Sequence, residues 1–145
     1  MNKYIAGLIA AIASASTGFA IHVASQSRVQ AWVDSHMQGH TVTPTREVRY
    51  VALATSLEAG IALVILYALV RTTLPVKSSL ARGLLLGVLL LAVMGRLFRQ
   101  PMMNLIVGNP FSVVVVQDGV SWVLWLCMCV VVALAYDLLV PNNVP

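Results

Sequence analysis

One carboxylate in this sequence has both the residue type and the position to do chemistry. Glu58 lies in the middle of an apolar stretch, 50–70, that is long enough to cross a bilayer. A carboxylate at that depth costs about 3 kcal/mol on insertion scales, so we expect it to face the interior of a helix bundle. There it either takes a proton or meets a partner. The candidates on the same side of the membrane are Arg96 and His22, and Thr55 lies one turn away. The functional interpretation is a proton-coupling or ligand-binding group, and the structural one is an ion pair or hydrogen bond between helices.

An aspartate and two histidines in the first polar loop have the composition of a metal site. His36 and His40 are four residues apart, which can place two imidazoles on one helix face, and Asp34 could add a ligand. Gly39 lies between the histidines and is typical of a helix end. The favoured interpretation is therefore a solvated histidine pair, and we expect no metal or other cofactor.

Small residues recur at four-residue intervals in the first apolar stretch. Ala10, Ser14 and Gly18 share one helical face, and His22 continues it. Small side chains let helix backbones approach closely in membranes. The pattern predicts a helix-packing face, within the chain or between copies, with His22 as a hydrogen-bonding partner at its end.

Common catalytic motifs are absent from the sequence. It contains no phosphate-binding glycine loop, no nucleophile elbow and no metalloprotease helix. The two cysteines, Cys127 and Cys129, lie two residues apart in an apolar run, where a helix would point them to different faces. No residue is therefore predicted to be catalytic, and an enzymatic role is not the favoured one.

The composition is that of a membrane protein. Of 145 residues, 59% are hydrophobic and 10% are charged, against about 25% charged in soluble domains. So little charge leaves too few polar groups to cover a globule in water. The net charge of +4 comes from Lys and Arg scattered between apolar runs, a pattern that orients membrane proteins. We therefore expect the lipid bilayer, and no nucleic acid, as a partner.

The candidate residues lie in or between four apolar stretches. These stretches predict an all-α membrane protein with a four-helix transmembrane bundle in a single domain, 1–145. The expected spans are 4–25, 50–70, 80–98 and 120–140. The first span also has features of a signal peptide. Its apolar run continues past the small-residue cleavage sites, so we expect it to be retained as a helix.

Two of the loops between the predicted spans are expected to contain structure of their own. In the first loop, Val29, Trp32, Val33 and Met37 recur at helical spacing among polar residues, which predicts a short amphipathic helix on the membrane surface. In the third loop, Pro101 is expected to break the helix, and the polar run 117–119 to interrupt a second apolar segment. We expect an interfacial or re-entrant segment there.

The basic residues give a weak indication of orientation. The short second loop, 71–82, carries three basic residues and no acidic one. Cytoplasmic loops are enriched in Lys and Arg. The pattern favours a multi-pass protein of the plasma (inner) membrane with both termini in the cytoplasm.

Three functions fit these observations. The favoured one is a small accessory, regulatory or immunity-type subunit that packs against a partner membrane protein. The alternative is a homo-oligomeric small transporter or channel that uses Glu58, since one copy has too few helices to enclose a pathway. A further alternative is a lipid- or thiol-handling membrane enzyme in which Glu58, Arg96 and Arg99 line a site open to the bilayer.

Overall fold

The computed structural model describes residues 2–37 and 48–140, and the secondary structure of these segments is helical, without a β-strand. The six helices are α1 (Lys3–Arg28), α2 (Gln30–His36), α3 (Val48–Val70), α4 (Ser79–Val93), α5 (Arg99–Ile106) and α6 (Phe111–Leu139). Helices α1, α3 and α6 are long and apolar enough to cross a membrane, whereas α4 is apolar but shorter, with 15 residues. The all-helical class is confirmed, and three such helices indicate a membrane protein.

Helix α4 is shorter than the predicted span 80–98. It begins after Ser78, whose side chain accepts a hydrogen bond from the backbone N–H of Ala81 at 3.1 Å. It ends at Val93 because Gly95 adopts a φ of 69°, a left-handed conformation that glycine adopts without strain. The residues that follow form turns before α5 begins at Arg99.

The interfacial or re-entrant segment expected after α4 stays a prediction, but two details of it were wrong. Pro101 does not end a helix but lies in the first turn of α5, where its missing N–H has no intrahelical partner to lose. The polar run 117–119 does not interrupt α6, which is continuous over 29 residues. At 1.5 Å per residue α6 is about 43 Å long, close to the thickness of a bilayer with its headgroups. Gly119 is tolerated because a helical glycine costs only about 1 kcal/mol.

The first loop contains a short helix, α2, where the sequence predicted an amphipathic one. Helix α2 buries Val33, which is 2% exposed, and leaves Asp34 and His36 on its outer side. Its position on a membrane surface remains a prediction. His40 and Gly39, with the rest of 38–47, lie outside the described residues.

Helices α1 and α6 form the centre of the molecule and run antiparallel. Helix α3 packs mainly against α1, and α4 packs against α6. Glycines make both contacts close: a Cβ added to Gly60 would lie 2.6 Å from the Ala11 carbonyl oxygen, and one added to Gly83 would lie 2.6 Å from the Cα of Val130. The two outer helices therefore touch the central pair through backbone. The buried core joins Ala10, Ala11, Leu63, Val64, Tyr67, Leu86, Met128, Cys129, Val132, Ala133 and Tyr136.

Candidate functional site

Glu58 lies on the outer surface of α3, so the expectation that it faces the bundle interior was wrong. Its side chain is exposed, and it makes no hydrogen bond or ion pair with any residue in 2–37 or 48–140. Thr55, one turn earlier, is also exposed and donates its hydroxyl to the Val51 carbonyl of its own helix at 2.9 Å. Neither side chain takes part in packing within the chain.

The helical register explains why Glu58 points outward. Gly60, Leu63 and Tyr67 form the buried face of α3. Residues two apart on a helix project about 200° from each other, so Glu58 is opposite the face that Gly60 presses against α1. Small side chains flank it on the outer face, since Ala54 and Ala62 lie one turn to either side and are exposed.

Arg96, the expected cationic partner of Glu58, is instead bound to α6. Its Nη1 donates to Ser121 Oγ at 3.0 Å, and its guanidinium lies 5.6 Å from the centre of the Trp125 ring. The indole Nε1 of Trp122 donates to the backbone carbonyl of Arg96 at 2.8 Å. These contacts join the end of α4 to α6, and α4 packs against α6 whereas α3 packs mainly against α1. Arg96 and Glu58 therefore do not share a site.

The small-residue face of α1 lies against α6. Ala10, Ser14 and Gly18 are buried, and Ser14 donates its hydroxyl to the Met128 carbonyl at 3.2 Å. A Cβ on Gly18 would meet the sulfur of Met128 at 2.5 Å. His22 continues this face and is partly buried, and its Nε2 is buried without a hydrogen-bond partner in the described parts of the chain.

The candidate metal ligands of the first loop make other contacts. Asp34 Oδ1 accepts a hydrogen bond from Gln30 Nε2 at 2.8 Å, and the ring of His36 stacks on Trp32 with centroids 4.2 Å apart. Within the described residues no three His, Cys, Asp or Glu side chains are close enough to hold a metal ion. His40 lies outside those residues.

A charge cluster that the sequence did not predict joins α3, α4 and α6 at the end of the molecule near residue 140. The carboxylate of Asp137 accepts hydrogen bonds from the Tyr67 hydroxyl at 2.6 Å and from Ser79 Oγ at 2.7 Å. Arg82 Nη1 lies 3.1 Å from Oδ2 and Arg71 Nη1 lies 3.3 Å from Oδ1. The three charged side chains are 11–15% exposed. One buried carboxylate therefore connects three helices through four donors.

The signal for this cluster was present in the sequence. Asp137 is an acid in the last turn of an apolar helix, and Arg71 and Arg82 flank the loop that the topology brings to the same end. The arginines were interpreted as loop charges because their pairing depends on the antiparallel register of α4 and α6. That register follows from the contact of Gly83 with Val130, which spacing alone does not specify.

A polar cavity of about 280 Å³ lies where the end of α1, α2, α5 and the first turns of α6 meet. It is lined by Ser25, Val29, Gln30, Val33, Gln100, Asn104, Gln117, Asp118 and Val120. Asp118 is 2% exposed, and its Oδ2 has no hydrogen-bond partner among the described residues. From the sequence, the polar run 117–119 was interpreted only as a break in a helix. Asp118 was therefore not predicted to be part of a site.

No family model, curated protein or solved structure matches the chain. Three acids lie in its apolar helices, and each has a different environment. Asp137 is neutralised and structural, Glu58 is exposed at mid-helix, and Asp118 lies buried beside a polar cavity.

Proposed function

We propose that this chain is a small multi-pass membrane subunit that acts by packing against a partner membrane protein. The observation that carries the proposal is Glu58, a carboxylate at the middle of α3 that projects away from the rest of the chain. We define the docking face as the exposed residues around it, Val51, Ala54, Thr55, Ile61, Ala62 and Ile65.

The cost of leaving Glu58 in lipid supports a covered face. An ionised carboxylate at the bilayer centre costs about 3 kcal/mol on insertion scales. A partner helix that presents a Lys, Arg or hydrogen-bond donor there removes most of that cost. Ala54 and Ala62, one turn to either side of Glu58, would let such a helix approach closely. The partner chemistry we propose is therefore a transmembrane helix with a basic or polar donor near its midpoint.

The proposal includes four membrane crossings by α1, α3, α4 and α6. Helix α4 spans about 22 Å at 1.5 Å per residue, so the turn residues 94–98 complete its crossing. This topology places the two termini on one side together with the loop 71–82, whose basic residues favour the cytoplasmic side of the plasma (inner) membrane.

A homo-oligomeric transporter or channel is the second candidate, and the same face favours it. A two-fold axis at Glu58 would bring two carboxylates together, and such a pair shares a proton because both cannot remain ionised at close range. On this hypothesis Glu58→Gln abolishes flux in liposomes while assembly is retained. The lipid- or thiol-handling enzyme is less well supported, because Arg96 is bound to Ser121 of α6 and not to Glu58.

The test is native mass spectrometry of the protein extracted gently from its own membranes. We expect wild type to carry a different polypeptide at fixed stoichiometry, and Glu58→Leu to lose it. Leu84→Ala, which changes an exposed side chain on α4, is the matched control and should keep the partner. A homo-oligomer without a second polypeptide would favour the transporter instead, and a partner retained in Glu58→Leu would contradict the docking face.

A further inference from the structure

The cavity beside Asp118 has the features of a binding site that is separate from the docking face. We call the carboxamides of Gln100, Asn104 and Gln117, which are exposed or partly exposed, the mouth of the cavity, and Asp118, which is almost fully buried, its floor. The Ser25 hydroxyl lies on the α1 wall. A carboxylate in this position is costly unless something donates to it.

No described residue donates a hydrogen bond to Oδ2 of Asp118, although the carboxamides of Asn104 and Gln100 and the charge of Arg96 are close to the carboxylate. Neither of the two ion pairs found among the described residues involves Asp118. Arg96 lies in the turn after α4, and its guanidinium is held by Ser121 and lies over Trp125. Since Oδ2 of Asp118 has no partner among the described residues, the cavity is suited to a ligand that brings both positive charge and N–H donors.

We propose that this cavity binds a primary ammonium group, either of a free small amine or of an ethanolamine lipid headgroup. An ammonium has three donors: one fits Asp118 Oδ2, and the others fit the carboxamide oxygens at the mouth. The volume of about 280 Å³ exceeds that of a single ion. A divalent metal is disfavoured because Asp118 is the only carboxylate among the described lining residues and such ions prefer several oxygen ligands.

The position of the cavity admits both sources of the ammonium group. Along the helix axes Asp118 lies about 10 Å from the middle of α6 and Ser25 about 14 Å from the middle of α1, beside the two short helices α2 and α5. The cavity therefore lies in the outer part of a hydrocarbon layer whose half-thickness is about 15 Å, a short distance from both the lipid headgroups and water. The site does not depend on whether α3 docks a partner, because Glu58 lies on a different helix and outside the lining.

Calorimetric titration of the purified full-length protein with ethanolamine tests the free-amine arm. We expect saturable binding by wild type and at least about tenfold weaker binding by Asp118→Asn, the factor that loss of one charge-assisted hydrogen bond gives. Glu58→Gln is the matched control: it removes an exposed carboxylate outside the lining of the cavity and should bind as wild type does. Choline, which has the charge but no N–H, should bind at least about tenfold more weakly than ethanolamine.

Native mass spectrometry from nanodiscs tests the lipid arm. Retention of phosphatidylethanolamine in preference to phosphatidylcholine, lost in Asp118→Asn, identifies the headgroup as the ligand, whereas ethanolamine binding in calorimetry identifies a free amine. Equal binding of choline, sodium and ethanolamine would overturn the proposal, as would an Asp118→Asn variant that binds like wild type, or no binding in either arm. If Asp118→Asn does not fold, Asn104→Ala removes one carboxamide from the mouth and should weaken ethanolamine binding several-fold.

Discussion

Replacing Asp137 by asparagine tests whether the charge cluster holds three helices together. The change keeps the size of the side chain and removes its negative charge. In wild type the carboxylate accepts from Tyr67, Ser79, Arg71 and Arg82 at 2.6–3.3 Å. In the variant two arginines, 14% and 15% exposed, lie beside each other without a counter-charge. The amide N–H groups of asparagine also face donors rather than acceptors.

The expected loss of stability is about 3 kcal/mol. Removing one partner of a buried ion pair typically costs 3–5 kcal/mol, and the residual exposure of these side chains places the expectation at the lower end. Arg71 retains its bond to the Val140 carbonyl at 2.9 Å and its position 4.9 Å from the centre of the Tyr136 ring, which limit the loss further. Removing an arginine as well should recover part of this stability. The double variant Asp137→Asn, Arg71→Gln should lose less free energy of unfolding than the two single variants lose in sum.

Equilibrium unfolding in mixed micelles, followed by circular dichroism, measures this difference. Asp34→Asn is the control, because Asp34 is exposed and its replacement keeps an oxygen that accepts from Gln30. It should change the free energy of unfolding by less than about 0.5 kcal/mol. If Asp137→Asn unfolds within 0.5 kcal/mol of wild type, the cluster does not hold the helices together. Strict additivity of the double variant would refute the charge argument in particular.

Three further predictions concern packing and hydrogen bonds between helices. Gly83→Ala should destabilise by about 1–3 kcal/mol in the same unfolding assay, because its Cβ would lie 2.6 Å from the Cα of Val130. A Cβ added at Gly119 meets nothing within 4 Å, so Gly119→Ala should leave the free energy of unfolding unchanged or raise it slightly. Equal effects of Gly83→Ala and Gly119→Ala would contradict close backbone packing of α4 on α6. Trp122→Phe removes the donor to the Arg96 carbonyl at 2.8 Å and should lower the free energy of unfolding by about 1 kcal/mol. Trp125→Phe should lower it less, because the indole of Trp125 makes no hydrogen bond in the described chain.

The elements of the fold were largely predictable because the apolar period and length of each stretch are local properties. The stretches 4–25 and 50–70 match α1 and α3 to within a few residues, and the helix in the first loop is present as α2. The error at 117–119 arose because polar residues in an apolar run were interpreted as a break. In the folded chain Asp118 lies beside a polar cavity, so the backbone can stay helical.

The sites were less predictable because they depend on which helix packs against which. The apolar pattern of α3 is nearly uniform around the helix, and it does not reveal that Gly60 and Tyr67 define the buried face. Glu58, a single charge at membrane depth, was therefore predicted to face the interior of the helix bundle. Asp137 and Asp118 carry the same signal as Glu58, an acid in an apolar helix, but the residues that surround them come from helices distant in sequence.

The most direct test of the proposed docking face is photo-crosslinking in native membranes. A benzophenone amino acid placed at position 61, on the docking face, is compared with one at position 88, on the outer face of α4. Ile61 and Val88 are similarly exposed, 53% and 45%, so both sites meet lipid equally if no partner is bound. We predict a crosslinked polypeptide of one fixed mass from position 61 and none from position 88, with the product lost in Glu58→Leu. Crosslinks to lipid alone from both positions would contradict the proposal.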